Sequence, residues 1–524
     1  MPSHPPIAVT LIVDIETSRN SAAIQQLACK QAGFKSNDRC YVQIKKRAID
    51  ARSRQIKVQL QLDLYEDKAT YKPVPFELPD RDVSLSKPVY IIGAGPAGLF
   101  AALRCIELGC KPIVFEQGKS VQDRRRDLVQ ITRHGIVNPL SNYSFGEGGA
   151  GTYSDGKLYT RSKKKGSIEH VINTFIHFGA APDIAIDNHP HIGTNKLPHI
   201  ISAMSSYIRQ VGGEVHFNSQ LTDISTLHRS INSIIINYHT KIKTDAVLLA
   251  TGHSARGVFK MLHHAGIAIE PKSFALGVRI EHPQALIDLM QYRQTQRHTL
   301  LPPASYQLVT QADDRGVYSF CMCPGGIIAP CATAPDEVVT NGWSPSKRNN
   351  PFANSGLVTE VHLDDAKQFA RSGPLALLDY QQAIEQQAFD VGGRTLHAPA
   401  QRLSDFLNNT TSSTLPDCSY QPGITSCNLA DVLPLPILHR LRLGLHHFCK
   451  QKPDYYHPDA VLVAPESRTS SPVRIPRDPI TFMHPTTLGL YPCAEGAGYA
   501  GGIMSAAIDG THAATQLINK YLAK

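Results

Sequence analysis

Residues 87–117, KPVYIIGAGPAGLFAALRCIELGCKPIVFEQ, constrain this chain more than any other stretch. Residues 89–92 are a short β-rich apolar run, Gly93-Ala94-Gly95-Pro96-Ala97-Gly98 follows as G-x-G-x-x-G, and residues 97–108 have the apolar content of a buried helix that Gly109 ends. Residues 113–115 then form a second strand. This is a dinucleotide-binding βαβ unit. Gly93 permits the tight turn, Gly95 lets the backbone approach a pyrophosphate, and Gly98 lets the helix pack closely on the strand. The phosphates meet the positive end of the helix. Glu116 closes the second strand 23 residues after Gly93, where a carboxylate accepts hydrogen bonds from ribose hydroxyls and repels a 2′-phosphate. The motif alone does not separate FAD from NAD.

The rest of the chain must fit around that unit. At 524 residues it has room for about three domains. With 42% hydrophobic and 19% charged residues it is an ordinary globular protein and not a disordered one. No apolar run reaches the roughly 18 to 20 residues of a membrane helix, and the N-terminus has no basic region before its apolar run, so a membrane partner and a secretory signal are not expected. The expected compartment is cytoplasmic. Eleven scattered cysteines, odd in number and without C-x-x-C, point to reduced thiols and away from a disulfide framework or a zinc site. The formal charge of +9 favours anionic partners or offsets a bound anion.

Residues 1–70 read as a small α+β domain, with strands at 7–14 and 40–45, a helix at 21–33, and strict alternation of Ile56, Val58, Leu60, Leu62 and Leu64. Between the last two strands, residues 45–54 carry five basic residues in ten. Without an interleaved aromatic platform, this run reads as a solvated face or a docking surface for a neighbouring domain, with nucleic acid the weaker alternative. Residues 71–88 are the linker. Residues 138–160 form a second glycine cluster, where Gly146, Gly148 and Gly151 match G-x-G-x-x-G formally, but no β-rich strand precedes them. That stretch is expected to be a loop whose backbone approaches a ligand. After a helix from Ser167 and another ending at Gln210, strands are expected at 214–217, 221–224, 233–238 and 245–249, the last running into Ala250-Thr251-Gly252. Residues 257–470 interrupt the nucleotide-binding pattern as an inserted mixed-sheet substrate domain. Within it, 320–330 and 338–355 look loop-like, and 404–427 looks like a lid or linker. Residues 89–256 and 471–524 are thus two parts of one Rossmann-like α/β FAD-binding domain.

Residues 488–510 repeat the logic of the first motif: a short strand, the acid Glu495 among glycines, and a helix-forming run from Ile503. Glu495 is placed to accept ribityl or ribose hydroxyls, and the helix start after Gly502 to face a flavin's pyrimidine side. Two distant segments converging on one extended ligand select FAD.

GAGPAG, FGEGGAGTYSDGKL, HIGTNKL, ATGHSAR, RIEHPQ, FCMCPGG, VVTNG, ESRTSSPVRI and YPCAEGAGYAGGIMSAAIDG, in this order, resemble the FAD-dependent dehydrogenase family of bacteria and plastids, which itself resembles glutathione-reductase-type flavoproteins. The resemblance covers nearly the whole chain, KKRAIDAR included. It implies FAD as cofactor and contacts from Gly93, Gly95, Gly98, Glu116, Gly148, Gly149, Thr251, Gly252, Glu495 and Gly502. The adjoining Ala94, Pro96, Ala97, Gln117, Lys157, Leu221, Ala250 and Ile503 are assigned to the same cofactor site. Where the family often has glycine before the C-terminal acid, this chain has Ala494.

The expected activity is that of an FAD-dependent oxidoreductase passing hydride between a small, anionic substrate and flavin N5. The alternatives are a flavin-dependent RNA-modifying enzyme and a non-enzymatic flavin-bound redox sensor. NAD(P)H has no second fingerprint to bind and would dock without one. Candidate catalytic groups are Cys323 and Cys493 as thiols near the flavin, and Arg279, Arg468 and Arg474 as forks for a carboxylate. The competing assignments are packed thiols and structural ion pairs, such as Arg279 with Glu281 or Arg474 with Glu466. His253 and His282 are candidate acids or bases, and no histidine spacing supports a metal.

Overall fold

The computed structural model describes residues 6–34, 40–53, 55–65, 71, 76–159 and 167–521. Arg54 of the basic run, residues 66–70, residues 72–75 of the linker and Thr160 of the glycine-rich stretch lie outside the described residues.

The chain opens with strand β1 (Ile7–Val13), helix α1 (Ser21–Ala32), and strands β2 (Tyr41–Asp50) and β3 (Lys57–Tyr65). They form an antiparallel sheet in the order β1-β3-β2. The alternation in β3 buries Val58, Leu60, Leu62 and Leu64, which pack with Val9, Leu11 and Val13 and with Ile24 and Ala28 of α1. The Asn20 side chain accepts from the Ala23 amide to cap α1, and Gly33, at φ +79°, ends it. The expectation of reduced thiols throughout is corrected here. A disulfide joins Cys29 in α1 to Cys40 at the start of β2, because both point into this one small core.

The basic run is also corrected: its first half is strand and not a connection, since β2 extends to Asp50. Arg47, with a side chain only 12% exposed, reaches Asp187 at 2.7 Å and Asp183 at 2.8 Å. Its own amide donates to the Ile186 carbonyl at 2.7 Å, and the Asn188 amide donates to the Arg47 carbonyl at 3.0 Å. Strand β2 therefore docks on the segment before His189.

A second sheet is fully parallel. Strands β4 (Pro88–Ile92), β5 (Lys111–Phe115) and β6 (Glu214–His216) continue on one side, and Val247–Leu249 and then Leu490–Pro492 lie on the other side of β4. The last strand comes from the end of the chain, 241 residues after Leu249. Helix α2 (Pro96–Glu107) follows β4, with Pro96 at its first turn, where a missing N–H costs nothing. The C-terminal helix Ile503–Tyr521 lies against α2. A Cβ on Gly510 would strike the Ala97 backbone, so the two helices touch main chain to side. Helix Arg256–His264 contributes Val258, Phe259 and Leu262 to the core beside this sheet.

The inserted block builds a seven-stranded mixed sheet. Its order is Val309–Ala312, Arg315–Cys323, Phe352–Val361, Phe274–Pro283, Val461–Glu466, Ala398–Arg402 and Ile424–Ser426. Only the last pair is parallel. The stretches read as loops hold two further strands, Ile327–Pro330 and Thr340–Trp343, paired with each other. Their glycines and prolines masked short strands that tertiary pairing stabilises. Residues 404–427 are no lid. Tyr420 is buried and donates to the Leu396 carbonyl at 2.9 Å, while Ser419 donates its amide to Glu281 at 2.7 Å and its hydroxyl to the same carboxylate.

No described helix is long and apolar enough to cross a membrane.

Glu281 is almost fully buried, and burial pushes its carboxyl up to about 7. A carboxyl whose folded pKa exceeds its unfolded value binds its proton more tightly in the folded chain, so the stability it contributes is complete below about 4.5 and is lost as pH rises through about 7. Denaturant unfolding of Glu281→Gln should therefore lose part of the wild-type fall in stability between pH 5 and 8. An unchanged slope would show that Glu281 titrates normally.

Candidate functional site

The glycine turn after β4 and the second glycine cluster meet face to face. Gly93 has φ +102°, and a Cβ there would strike the Ala250 carbonyl oxygen of the neighbouring strand end. A Cβ on Gly149 would lie 3.1 Å from Gly95 Cα, whereas one on Gly95 would find only Gly149 Cα, at 3.9 Å. The two backbones thus form a cradle that is open on the Gly95 side. Pro96 and Ala97 begin α2 beside it, and a helix start leaves its first amides without intrahelical partners.

Glu116 ties these turns together. Its Oε2 accepts from the Ala94 amide at 2.9 Å, and its Oε1 accepts from Gly118 at 3.0 Å and Gly146 at 2.8 Å. Buried Arg124, which sequence reasoning passed over as one of three consecutive arginines, holds the second cluster from behind. It donates to the carbonyls of Asn142 at 2.7 Å, Tyr143 at 2.9 Å and Glu147 at 2.9 Å. Burial lowers its pKa to about 10, so it stays charged at neutral pH.

The cradle opens into a cavity of about 520 Å³ between the carboxyl ends of the parallel strands and the seven-stranded sheet. Gly93, Gly95, Pro96, Ala97, Glu116 and Gln117 line it with Leu221, Ala250, Thr251 and Gly252, and so do Gly149, Lys157, Glu495, Gly502 and Ile503. Three assigned residues stand behind the wall. Ala94 gives its amide to Glu116, Gly98 lets α2 approach the Gly93 carbonyl, and Gly148, at φ +78°, abuts Thr152 and Ile201 while donating to the Ala94 carbonyl at 2.8 Å. These three support the cradle and do not face the cavity.

The far wall comes from the inserted sheet: Phe320, Cys321, Cys323, Asn341, Gly342 and Arg468. Cys321 and Cys323, two residues apart and so on one face of the strand, both line the cavity. The pairing with Phe352–Val361 slips between Phe320 and Cys323, and Cys321 takes φ +44°, which marks a bulge beside the cavity. Cys323 is buried, and burial raises its thiol, so it is protonated at neutral pH, while Cys321 is exposed. Cys493 is not in the wall; its buried sulfur meets Asp509 at 3.6 Å. Lys157 donates to the Met322 carbonyl and lies 3.6 Å from Asp155, which Arg348 holds at 2.7 Å.

Arg279 and Arg468 follow the paired assignment, with partners other than those expected. Arg279 is fully buried and meets Glu466 at 3.1 Å, while Glu281 serves Ser419. Arg468 reaches the cavity edge but is held by Glu385 at 2.8 Å, Glu337 at 3.0 Å and Thr333 at 2.7 Å. Arg474 lies outside the wall, its guanidinium 5.7 Å from the Tyr499 ring centre. Arg279 and Arg468 are thus occupied by carboxylates, and Arg474 is not among the residues that line the cavity. Asn341 and Gly342 were visible in sequence only within VVTNG, and Asp155 and Tyr159 only as neighbours of Lys157.

His253 projects from the turn after Gly252 into the same cavity, its Nε2 3.6 Å from Glu495 Oε2, and Glu495 Oε1 accepts from the Gly502 amide. Burial lowers the imidazole pKa and Glu495 opposes that shift. His282 is remote from the cavity wall, its Nε2 donating to the Tyr455 carbonyl at 2.9 Å inside the inserted sheet's core.

Comparison with known proteins bears on the cofactor. Residues 273–469 match the family model described as FAD-dependent protein, C-terminal domain-like, and residues 6–65 match a domain of unknown function, DUF8436. An uncharacterized protein of Clostridium beijerinckii is 37% identical over 520 residues, covering 95% of this chain and 96% of that protein. Among solved structures, CtdE in complex with FAD is 13% identical with a TM-score of 0.34, covering 84% of this chain and 85% of that one. The halogenase PltM is 9% identical with a TM-score of 0.34 over 83% and 70% of the two chains. The L-amino acid deaminase from Proteus vulgaris is 12% identical with a TM-score of 0.31 over 86% and 96%. The cofactor is FAD, as the family model's description has it, and the open cradle, the acid at the end of β5 and the C-terminal helix start suit an extended dinucleotide.

Because a Cβ on Gly95 meets no protein atom closer than 3.9 Å, Gly95→Val should fold and yet lose FAD. The measurement is visible flavin absorbance per chain, with unfolding compared against wild-type apoprotein. Full FAD occupancy in this variant would remove the cradle from the cofactor site.

Proposed function

Since the chain belongs to the same family as its full-length Clostridium beijerinckii relative and carries the FAD-dependent C-terminal domain, we propose that it is an FAD-dependent oxidoreductase acting on a small substrate. In this reading the parallel sheet and its glycine turns are a Rossmann-like FAD domain, and the inserted sheet is the substrate domain. The observation that carries it is the cavity itself: one end has the dinucleotide features, and the other is walled by a separate sheet bearing polar side chains. A scaffold or sensor would need no such second wall.

The cradle of Gly95 and Gly149 and the start of α2 would hold the pyrophosphate, Glu116 would face the adenosine ribose, and the start of the C-terminal helix would face the flavin. Bound FAD supplies a hydride acceptor and donor at N5. The protein's own part is to position substrate and to manage its proton. His253 is neutral at pH 7 because burial disfavours its charged form, so its Nε2 can take a proton from substrate, and Glu495 at 3.6 Å stabilises the imidazolium that results. Asn341 and the two thiols of the bulge contribute shape and weak hydrogen bonding at the opposite wall.

The direct test is anaerobic mixing of the yellow protein with reduced nicotinamide nucleotides and with candidate metabolites. Bleaching of the flavin band by at least one supports an oxidoreductase; a flavin that none reduces speaks for a sensor. With a substrate in hand, His253→Asn should keep FAD and lose about 10²- to 10⁴-fold in rate. The wild-type rate should climb with pH through an imidazole pKa below 6.5 and then level off, and that acid limb should vanish in the variant. Retention of the limb in His253→Asn would assign the proton to another group.

A further inference from the structure

Segment 187–193 lies between the N-terminal sheet and the cavity wall. On one side Asp187 bridges Arg47 of β2; on the other, His191 bridges Lys157, the Leu158 amide donates to the Pro190 carbonyl at 3.0 Å, and the Ile192 amide donates to Gly156 at 3.1 Å. Strand β2 is thereby held beside the rim formed by residues 155–159. At that rim the exposed Tyr159 ring, which lines the cavity, meets the His189 ring at 5.3 Å between centres. Lys46, exposed on β2, and Arg348, from the inserted block, both act electrostatically on His189 from opposite elements. Asn188 touches the His189 ring nitrogen at 3.2 Å.

The charges here do not cancel. Asp155 is shared by Arg348 and Lys157, Asp183 and Asp187 are occupied by Arg47, and no acid is ion-paired with Lys46 among the described residues. We infer that this rim, built from Tyr159, His189, Lys46 and Arg348, is a second binding site, for a nucleoside phosphate other than the FAD whose presence in the cavity it presupposes. The two rings give a base a stacking surface, and Lys46 and Arg348 flank it as phosphate partners. The site is incomplete without β2, which gives the N-terminal unit and its Arg47 clamp a task. A polynucleotide is the poorer occupant. Asp63, 4.0 Å from Lys45, and the partly exposed Asp183 and Asp187 interrupt the positive surface on either side of Lys46, leaving room for one nucleotide's phosphates and not for a backbone track.

Two sources share this chemistry, a reduced nicotinamide nucleotide as electron donor and a nucleotide-linked substrate, and both are covered by one experiment on the FAD-loaded protein. Calorimetry with 5′-AMP, 2′,5′-ADP, NADH and NADPH, and with a short oligoribonucleotide, should show binding of at least one nucleotide. That binding should weaken about tenfold or more in Lys46→Glu and in Tyr159→Ala, with flavin absorbance per chain unchanged, and persist in Lys450→Glu on the remote helix Leu435–Gln451. Bleaching by the bound nicotinamide nucleotide identifies an electron donor, and binding of the adenosine phosphates without bleaching identifies a nucleotide-linked substrate; either supports the site. Absence of all nucleotide binding, equal binding in both variants, or a preference for the oligoribonucleotide overturns it. A colourless wild-type protein that still binds 2′,5′-ADP through Lys46 would overturn the FAD assignment and leave the rim standing.

Discussion

One carboxylate holds the nucleotide-binding end of this molecule in shape. Glu116 sits where β5 ends and accepts three backbone amides, from Ala94 in the first glycine turn, Gly118 in its own turn, and Gly146 in the second glycine cluster. Hydrogen bonds to a charged acceptor are the stronger kind, and here they fix two loops that have no regular structure of their own. Arg124 does the complementary work with three carbonyls of the second cluster. An anion that gathers amides and a cation that gathers carbonyls leave the Gly95 and Gly149 backbones facing each other. A carboxylate oxygen has lone pairs beyond those used by amides, so Glu116 can organise the loops and still face a ribose.

The other end of the cavity depends on how the inserted sheet is held. Arg256, at the start of the helix after Gly252, reaches Glu385 at 2.5 Å and also Glu337, and Arg468 binds the same two carboxylates. Two arginines and two glutamates, all largely buried, thus join the nucleotide-binding part to the inserted sheet. Such a network adds little net stability over apolar packing, but breaking one member leaves an unpaired buried charge costing about 3 to 5 kcal/mol. Its value is geometric: it sets where the bulge of Cys321 and Cys323 stands relative to His253 and Glu495.

Much of this was legible in the chain itself, where local chemistry dictates backbone. The G-x-G-x-x-G turn, the acid at Glu116, the alternating β3 and the strand that runs into Ala250 are each written within a few consecutive residues. What escaped is what only tertiary contact creates. The bulge at Cys321 is set by pairing with a strand some thirty residues away. The arginines could be recognised as charged but not matched to partners, because Glu466, Glu337 and Glu385 arrive from other strands and helices. The disulfide of Cys29 and Cys40 was hidden by an odd cysteine count, and the strand character of Lys45, Lys46 and Arg47 by their charge. Residues 404–427 looked loose because serine, threonine and proline dominate them, yet Tyr420 and Ser419 anchor them in the core.

The account's central claim is that Glu116 builds the cradle in which FAD lies. It is tested most directly by counting the FAD released on heat denaturation of wild-type protein and of Glu116→Ala, each first shown by circular dichroism to be folded. The account predicts close to one FAD per wild-type chain and almost none in the variant, whose two glycine loops have lost their common acceptor. A folded Glu116→Ala protein with its full complement of FAD would contradict it.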